Sequence, residues 1–356
     1  MSTPYDVLLV DLDGTVYRGQ EAVPGVVEAL EAARGRGVTI SYVTNNASRS
    51  PGTVQEHLTD LGLTLVEDDV VTSAQAAAAL LAQRCSPGDP VLVLGTEALA
   101  DEVGTVGLRP VRAAADEPVA VVQGHSPQTG WEQLAEATMA LGAGASWIAC
   151  NVDPTLPSDR GLLPGNGSMV AALRMATGRE PDVAGKPAAP LLHQAIERAA
   201  AQHPLVVGDR LDTDIAGASA VGADSLLVLS GVSTAAEVLT APSGHRPTFL
   251  AADLTVIGAA DGALDAVRVD AAGTGWTASV DDGVVTLSRD GDADESRSDP
   301  DDPDDPDALA ALRALCAAVW AHQDGADRSA DGHGVRVRAH GTSAERVVDT
   351  LDLPRA

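Results

Sequence analysis

Val7-Leu8-Leu9-Val10-Asp11-Leu12-Asp13-Gly14-Thr15 decides the architecture of this chain. Four apolar residues in a row, stopped by acidic ones, read as a short parallel strand buried on both faces. The next segments of the chain support that reading. Val26 to Arg36 has a helical pattern, with Pro24 and Gly25 before it and Gly37 after it. Residues 38–43 are β-branched and run into Thr44-Asn45-Asn46, and Pro51 to Leu61 reads as the next helix. The order β-α-β-α implies a parallel sheet with helices on its faces. Ligands of such sheets sit beyond the carboxyl ends of the strands. The polar clusters at 11–15 and 44–46 both fall at such ends.

The pattern resumes further along. Residues 91–94, 119–122 and 147–150 read as strands, with a helix around Trp131 to Leu141. Ala188 to Gln202 reads as a helix, Leu205 to Val207 as a strand ending in Gly208-Asp209, and Leu226 to Leu229 as a strand ending in Ser230-Gly231. An acidic strand end thus returns after an insert of domain size, which predicts one sheet interrupted by an inserted α/β domain. From about residue 262 the pattern changes. Residues 265–289 alternate in β fashion around an Asp281-Asp282-Gly283 turn. The Asp- and Pro-dense run 290–307 reads as a solvated, disordered loop; it lacks the turn glycine of a calcium loop. A helix over Asp307 to Ala321, a short strand (VRVRA) and a last helix complete a small α+β domain.

Composition limits the partners. The chain has 356 residues, enough for two or three domains. Asp plus Glu number 51 against 23 Lys plus Arg, a net charge of −28. That argues against nucleic acid or an anionic membrane, which need basic surface, but not against a small anion. No apolar run is long enough to cross a bilayer, and the first residues lack the basic and small-residue signals of a signal peptide. Cys85, Cys150 and Cys316 fit neither a zinc nor a disulfide pattern, so a cytoplasmic protein with buried thiols is expected.

Four short motifs carry chemistry. In Asp11-x-Asp13-Gly14-Thr15 two carboxylates point to one side of a turn, one able to attack phosphorus and one to handle the leaving-group proton. Gly14 lets backbone approach phosphate oxygens. An Asp-rich turn is the plain alternative. Thr44-Asn45-Asn46 offers hydrogen-bond donors for phosphate, or else a helix cap before Pro51. Gly185-Lys186-Pro187 supplies a point charge suited to a phosphoryl group. Surface lysines are ordinarily uninformative, but Lys186 is the only lysine in the sequence. Gly208-Asp209-Arg210-Leu211-Asp212-Thr213-Asp214 groups hard carboxylates without His or Cys, which suits magnesium. Asp209 reads as the direct ligand, Asp214 as its support and Asp212 as solvated loop; helix capping is the alternative for each.

The order DxD, TNN, KP, GDxxxTD resembles the haloacid dehalogenase superfamily of phosphohydrolases. The likeness covers residues 1–83 and 181–261 as a Rossmann-like catalytic core, with 84–180 as an inserted cap and 262–356 as an extension. Insertion between the second and third motifs resembles subclass IIA, as do Ala149-Cys150-Asn151-Val152-Asp153 and Leu163-Pro164-Gly165-Asn166-Gly167-Ser168. The added C-terminal domain is similar to that of the actinobacterial glycerol-3-phosphate phosphatases, which has been likened to an acetyltransferase-like fold.

The resemblance implies a role for each matching residue. Asp11 would be the nucleophile, forming an aspartyl-phosphate, and Asp13 the general acid and then base. Asp11, the Asp13 carbonyl and Asp209 would hold Mg2+, with Asp214 in support. Gly14, Thr44, Asn45 and Lys186 would bind phosphate. Asn151, Asp153 and Arg160, near the return from the cap, would touch the leaving group or serve the hinge. The substrate expected is a small polyol or sugar phosphate, glycerol 3-phosphate first. Phosphoglycolate, a nucleoside monophosphate or pyridoxal phosphate, and a non-enzymatic phosphometabolite sensor, are the alternatives. A phosphonate-cleaving relative would need a cap lysine, and there is none. The extension lacks a CoA pyrophosphate loop, so a structural or dimerising role is expected for it, and a homodimer stays open.

Overall fold

The computed structural model describes residues 4–66, 68–158, 160–259, 262–270, 275–281, 283–290, 305–325 and 335–356. The chain is α/β and divides into two compact units, residues 1–38 with 203–356, and residues 39–202.

In the first unit, four parallel strands lie in the order Phe249–Ala251, Asp224–Val228, Pro204–Gly208, Val7–Val10. Val10 aligns with Val207 and Val207 with Leu226. This register brings the residues after Val10 and after Gly208 to the same sheet edge. The strands are buried, as their unbroken apolar runs require. The helix Val26–Gly35 packs on the turn Leu254–Ile257. Gly258 permits that approach, since a Cβ there would lie 2.6 Å from Cα of Ala29.

Residues 262–356 add a three-stranded sheet, Trp276–Asp281 antiparallel to Val284–Arg289 and the latter parallel to Arg336–His340. The helices Pro306–Gly325 and Thr342–Thr350 belong with it. Among the described residues, the β alternation expected from 265 is met by the strand from Trp276. Ala263–Ala266 is instead a helical turn entered through Gly262 at φ 87°, a left-handed conformation that glycine takes at no steric cost. The extension also shares its core with the strands before it. Leu312, Leu315 and Trp276 form one apolar cluster with Leu227, Val238, Leu239 and Leu250. Residues 291–304, most of the acidic run, and Asp282 of the expected hairpin turn lie outside the described residues.

In the second unit, Thr39–Thr44 pairs in parallel with Val70–Thr72. Helices Pro51–Asp60, Ser73–Arg84 and Ala189–Arg198 belong to the same unit. The last ends four residues earlier than its apolar pattern suggests, because Ala200 turns left-handed at φ 49°. Five parallel strands come next, in the order Asp182–Val183, Ser146–Ala149, Ala120–Gln123, Pro90–Leu94, Arg109–Val111. Trp131–Gly142 and Asn166–Thr177 cover this sheet, and Trp147, Leu141 and Leu173 lie in the shared core. A hairpin, Thr155–Ser158 with Gly161–Pro164, projects from the return segment.

Candidate active site

At the edge of the first unit's sheet the chain turns sharply after Val10. Leu12 is buried, while Asp11 is half-buried and Asp13 exposed on either side of it. The turn is closed by Val16 N donating to Leu12 O at 2.8 Å and Gly14 N to Tyr17 O at 2.8 Å. Gly14 has φ 87°, and a Cβ on it would lie 2.5 Å from Oδ2 of Asp209. Its glycine is therefore needed on two counts, for the backbone conformation and for the approach of that carboxylate.

Asp209 follows the neighbouring strand and is fully buried; Asp214 is buried at 1% exposure. Carboxylate oxygens of Asp11, Asp209 and Asp214 lie within 4.8 Å of one another. Three such groups at this spacing repel strongly once withdrawn from water, unless a cation sits among them. Their donors are all hard oxygens, the set that suits magnesium. The residues present thus fit a divalent cation. Arg210, the N-cap of the helical turn Leu211–Ile215, makes no cap bond by its own side chain. Asp212 lies in that turn rather than in loop. It is exposed and bonded to Arg210 at 2.8 Å, and that guanidinium holds its carboxyl below the usual range. Oδ2 of Asp214 accepts from Arg210 N at 3.1 Å.

The second unit holds the other candidates. Thr44 is buried, its hydroxyl accepting from Asn46 N at 3.0 Å. The helix at Pro51 is capped by Ser50, which accepts from Thr53 N at 3.2 Å, so Thr44-Asn45-Asn46 is not that cap. Lys186 is 2% exposed, and its Nζ donates to Val43 O at 3.2 Å. Asn45 bonds the main chain of Lys186 twice and also donates to Oδ2 of Asp153 at 3.2 Å. Asn151 donates to Asn45 O at 2.7 Å, and Asn166 donates to Asn151 O at 2.7 Å. These residues form one hydrogen-bonded knot, in which Asn45 holds the main chain of Lys186 and Asn151 that of Asn45. Arg160 is exposed in the hairpin turn.

Residues that the motifs did not single out also enter. Ser73 donates to Asn45 O at 2.6 Å. Val232 N donates to Oδ2 of Asp209 at 2.7 Å. Ser230-Gly231 at a strand end was the one available signal for the latter.

Comparison with known proteins shows the family. The family of haloacid dehalogenase-like hydrolases matches residues 8–109, and a second profile of haloacid dehalogenase type matches 183–257. A GCN5-related N-acetyltransferase-like domain matches 274–353. The D-glycerol 3-phosphate phosphatase of Mycobacterium tuberculosis is 54% identical over 82% of this chain and 80% of its own length. An acid sugar phosphatase of Staphylococcus aureus is 37% identical over 70% of this chain and 95% of its own. Among solved structures, the M. tuberculosis glycerol phosphate phosphatase in complex with magnesium superposes with a TM-score of 0.86 at 47% identity. That match covers 98% of this chain and 97% of the other. A p-nitrophenyl phosphatase from Archaeoglobus fulgidus gives 0.66 at 31% identity, covering 70% and 97%. With its Rossmann-like core and acetyltransferase-like extension, the chain belongs to the haloacid dehalogenase-like hydrolases.

Proposed function

We propose that this chain is a magnesium-dependent phosphatase that hydrolyses glycerol 3-phosphate. The cluster of Asp11, Asp209 and Asp214 carries the reading, with Asp13 two residues beyond Asp11. The names of the M. tuberculosis relatives supply the substrate and the metal.

Asp11, the Asp13 carbonyl and Asp209 hold the ion, with Asp214 in support. Bound there, magnesium supplies the positive charge that offsets repulsion between the Asp11 carboxylate and a phosphate dianion. A carboxylate oxygen of Asp11 attacks phosphorus as the ester P–O bond breaks, giving an aspartyl-phosphate. Asp13 gives its proton to the departing alcohol. It then takes a proton from water, which attacks the phosphoryl group and releases phosphate and Asp11. Gly14, Thr44 and Lys186 bind the phosphoryl oxygens. Asn45 serves by holding Lys186, the role its hydrogen bonds favour.

Residues 84–180 act as a cap that selects small substrates, with Asp153 and Arg160 the cap residues nearest in kind to a polyol hydroxyl. The catalytic core is 1–83 with 181–261. Net charge favours a small metabolite over nucleic acid as partner, and the free thiols favour the cytoplasm. Among the described residues no helix is long and apolar enough to cross a membrane. Phosphate release from a panel of esters with magnesium tests the reading. Glycerol 3-phosphate should turn over faster than an aryl phosphate; equal rates would remove the substrate and leave the mechanism.

A further inference from the structure

The loop Ser230–Ser233 grips Asp209 from three directions. Val232 N donates to Oδ2 of Asp209 at 2.7 Å, and Ser233 N donates to its main-chain carbonyl at 3.0 Å. Gly231 lies so close that a Cβ there would overlap Oδ2 and Cγ of the same carboxylate. Gly14 also closes in on Oδ2, its added Cβ falling 2.5 Å away. The loop is itself tied down. Ser230 Oγ donates to Gly14 O at 2.7 Å, and Nε of Arg18, from the hairpin Tyr17–Arg18 with Glu21–Ala22, donates to Ser230 O at 2.5 Å. One oxygen of Asp209 is thus packed against two glycines and hydrogen-bonded to backbone.

We propose that the Ser230–Ser233 loop is a positioning device for the metal carboxylate, leaving Asp209 a single oxygen for the cation and so favouring magnesium over calcium. Magnesium wants near-octahedral geometry at short distance, which a fixed monodentate carboxylate supplies. Calcium takes more ligands at longer distance and commonly uses both carboxylate oxygens. Oδ2 is already engaged by Val232 N and packed against Gly231 and Gly14, so it is the oxygen less able to turn toward a cation. The positioning role rests on the proposed magnesium site and assigns that site's affinity and selectivity to residues that do not touch the ion.

The test is calorimetric titration of magnesium and of calcium into the full chain and into Asp209→Asn, Ser230→Ala and Gly231→Ala variants. Thermal unfolding without metal is recorded for each. Asp209→Asn should lose magnesium binding; if it binds as the wild type does, the metal site itself is wrong. Ser230→Ala and Gly231→Ala should bind magnesium about tenfold more weakly, with calcium weakened less, so that the ratio of the two affinities falls. Loss of binding in Asp209→Asn with an unchanged ratio in the loop variants would overturn the positioning role alone. Should Gly231→Ala not fold, Ser230→Ala, which removes one hydroxyl and adds no atom, decides the matter.

Discussion

The side-chain amide of Asn45 spans the main chain of Lys186, accepting from its N–H at 2.8 Å and donating to its carbonyl at 2.9 Å. An amide used this way acts as a jig for the residue it holds. Asn45→Ala should therefore lower kcat/KM by about ten- to a hundredfold, the scale of a misplaced catalytic group. The loss should be no greater when Lys186→Met is already present, because residues acting as a unit are not additive. Multiplying losses in the double variant would mean that Asn45 meets the substrate itself. Gly185→Ala should reproduce the defect, since its Cβ would lie 2.5 Å from Oδ1 of Asn45.

Asp11→Asn should remove phosphate release by at least about a thousandfold while leaving the thermal midpoint near that of the wild type. A wild-type chain that binds glycerol 3-phosphate but releases no phosphate would favour a sensor instead. Lys186→Arg should also fail. The lysine is almost fully buried, and a planar guanidinium is wider than the ammonium it replaces.

Much of this arrangement is legible in the sequence. Val7–Val10 is an unbroken apolar run, and Asp11 and Asp13 alternate around the buried Leu12, so the strand and the turn that follows it can be read from the local pattern. The jig role of Asn45 is not legible, because the partners of an amide are chosen by chain segments more than a hundred residues away. The helix Ser73–Arg84 is hidden for another reason. It is rich in alanine, which gives little contrast between faces. Nor can apolar patterning reveal that Leu312 and Leu315 find Leu239 and Leu250, since a hydrophobic stripe does not name its partner.

That shared core makes the extension a stability element. A chain ended after Asp270 would uncover Leu227, Leu239 and Leu250, each fully buried, at about 25 cal/mol for every square ångström exposed. It should aggregate or lose a cooperative thermal transition. A milder probe is Arg313→Ala. Arg313 is buried and donates to Leu250 O at 3.1 Å, and leaving that carbonyl unsatisfied should cost about 1–3 kcal/mol. Calorimetry on both chains checks the pair; wild-type stability in either would detach the extension from the core.

The thiols give a prediction in pH. Burial pushes the Cys150 thiol from the ordinary 9.0 up to about 12 and raises Cys316 as well. In the unfolded chain both thiols ionise near pH 9, whereas in the folded chain they stay neutral. The stability this confers is fully present below pH 9 and is lost as pH rises from there toward the folded value. Chemical denaturation between pH 8 and 11 should therefore show a falling midpoint, with a shallower fall in Cys150→Ala. At pH 8, iodoacetamide should label Cys85, which is only half-buried, and spare Cys150 and Cys316 until the chain is unfolded. Mass spectrometry reads the order of labelling, and early modification of Cys150 would show that its neighbourhood opens to solvent in the native protein.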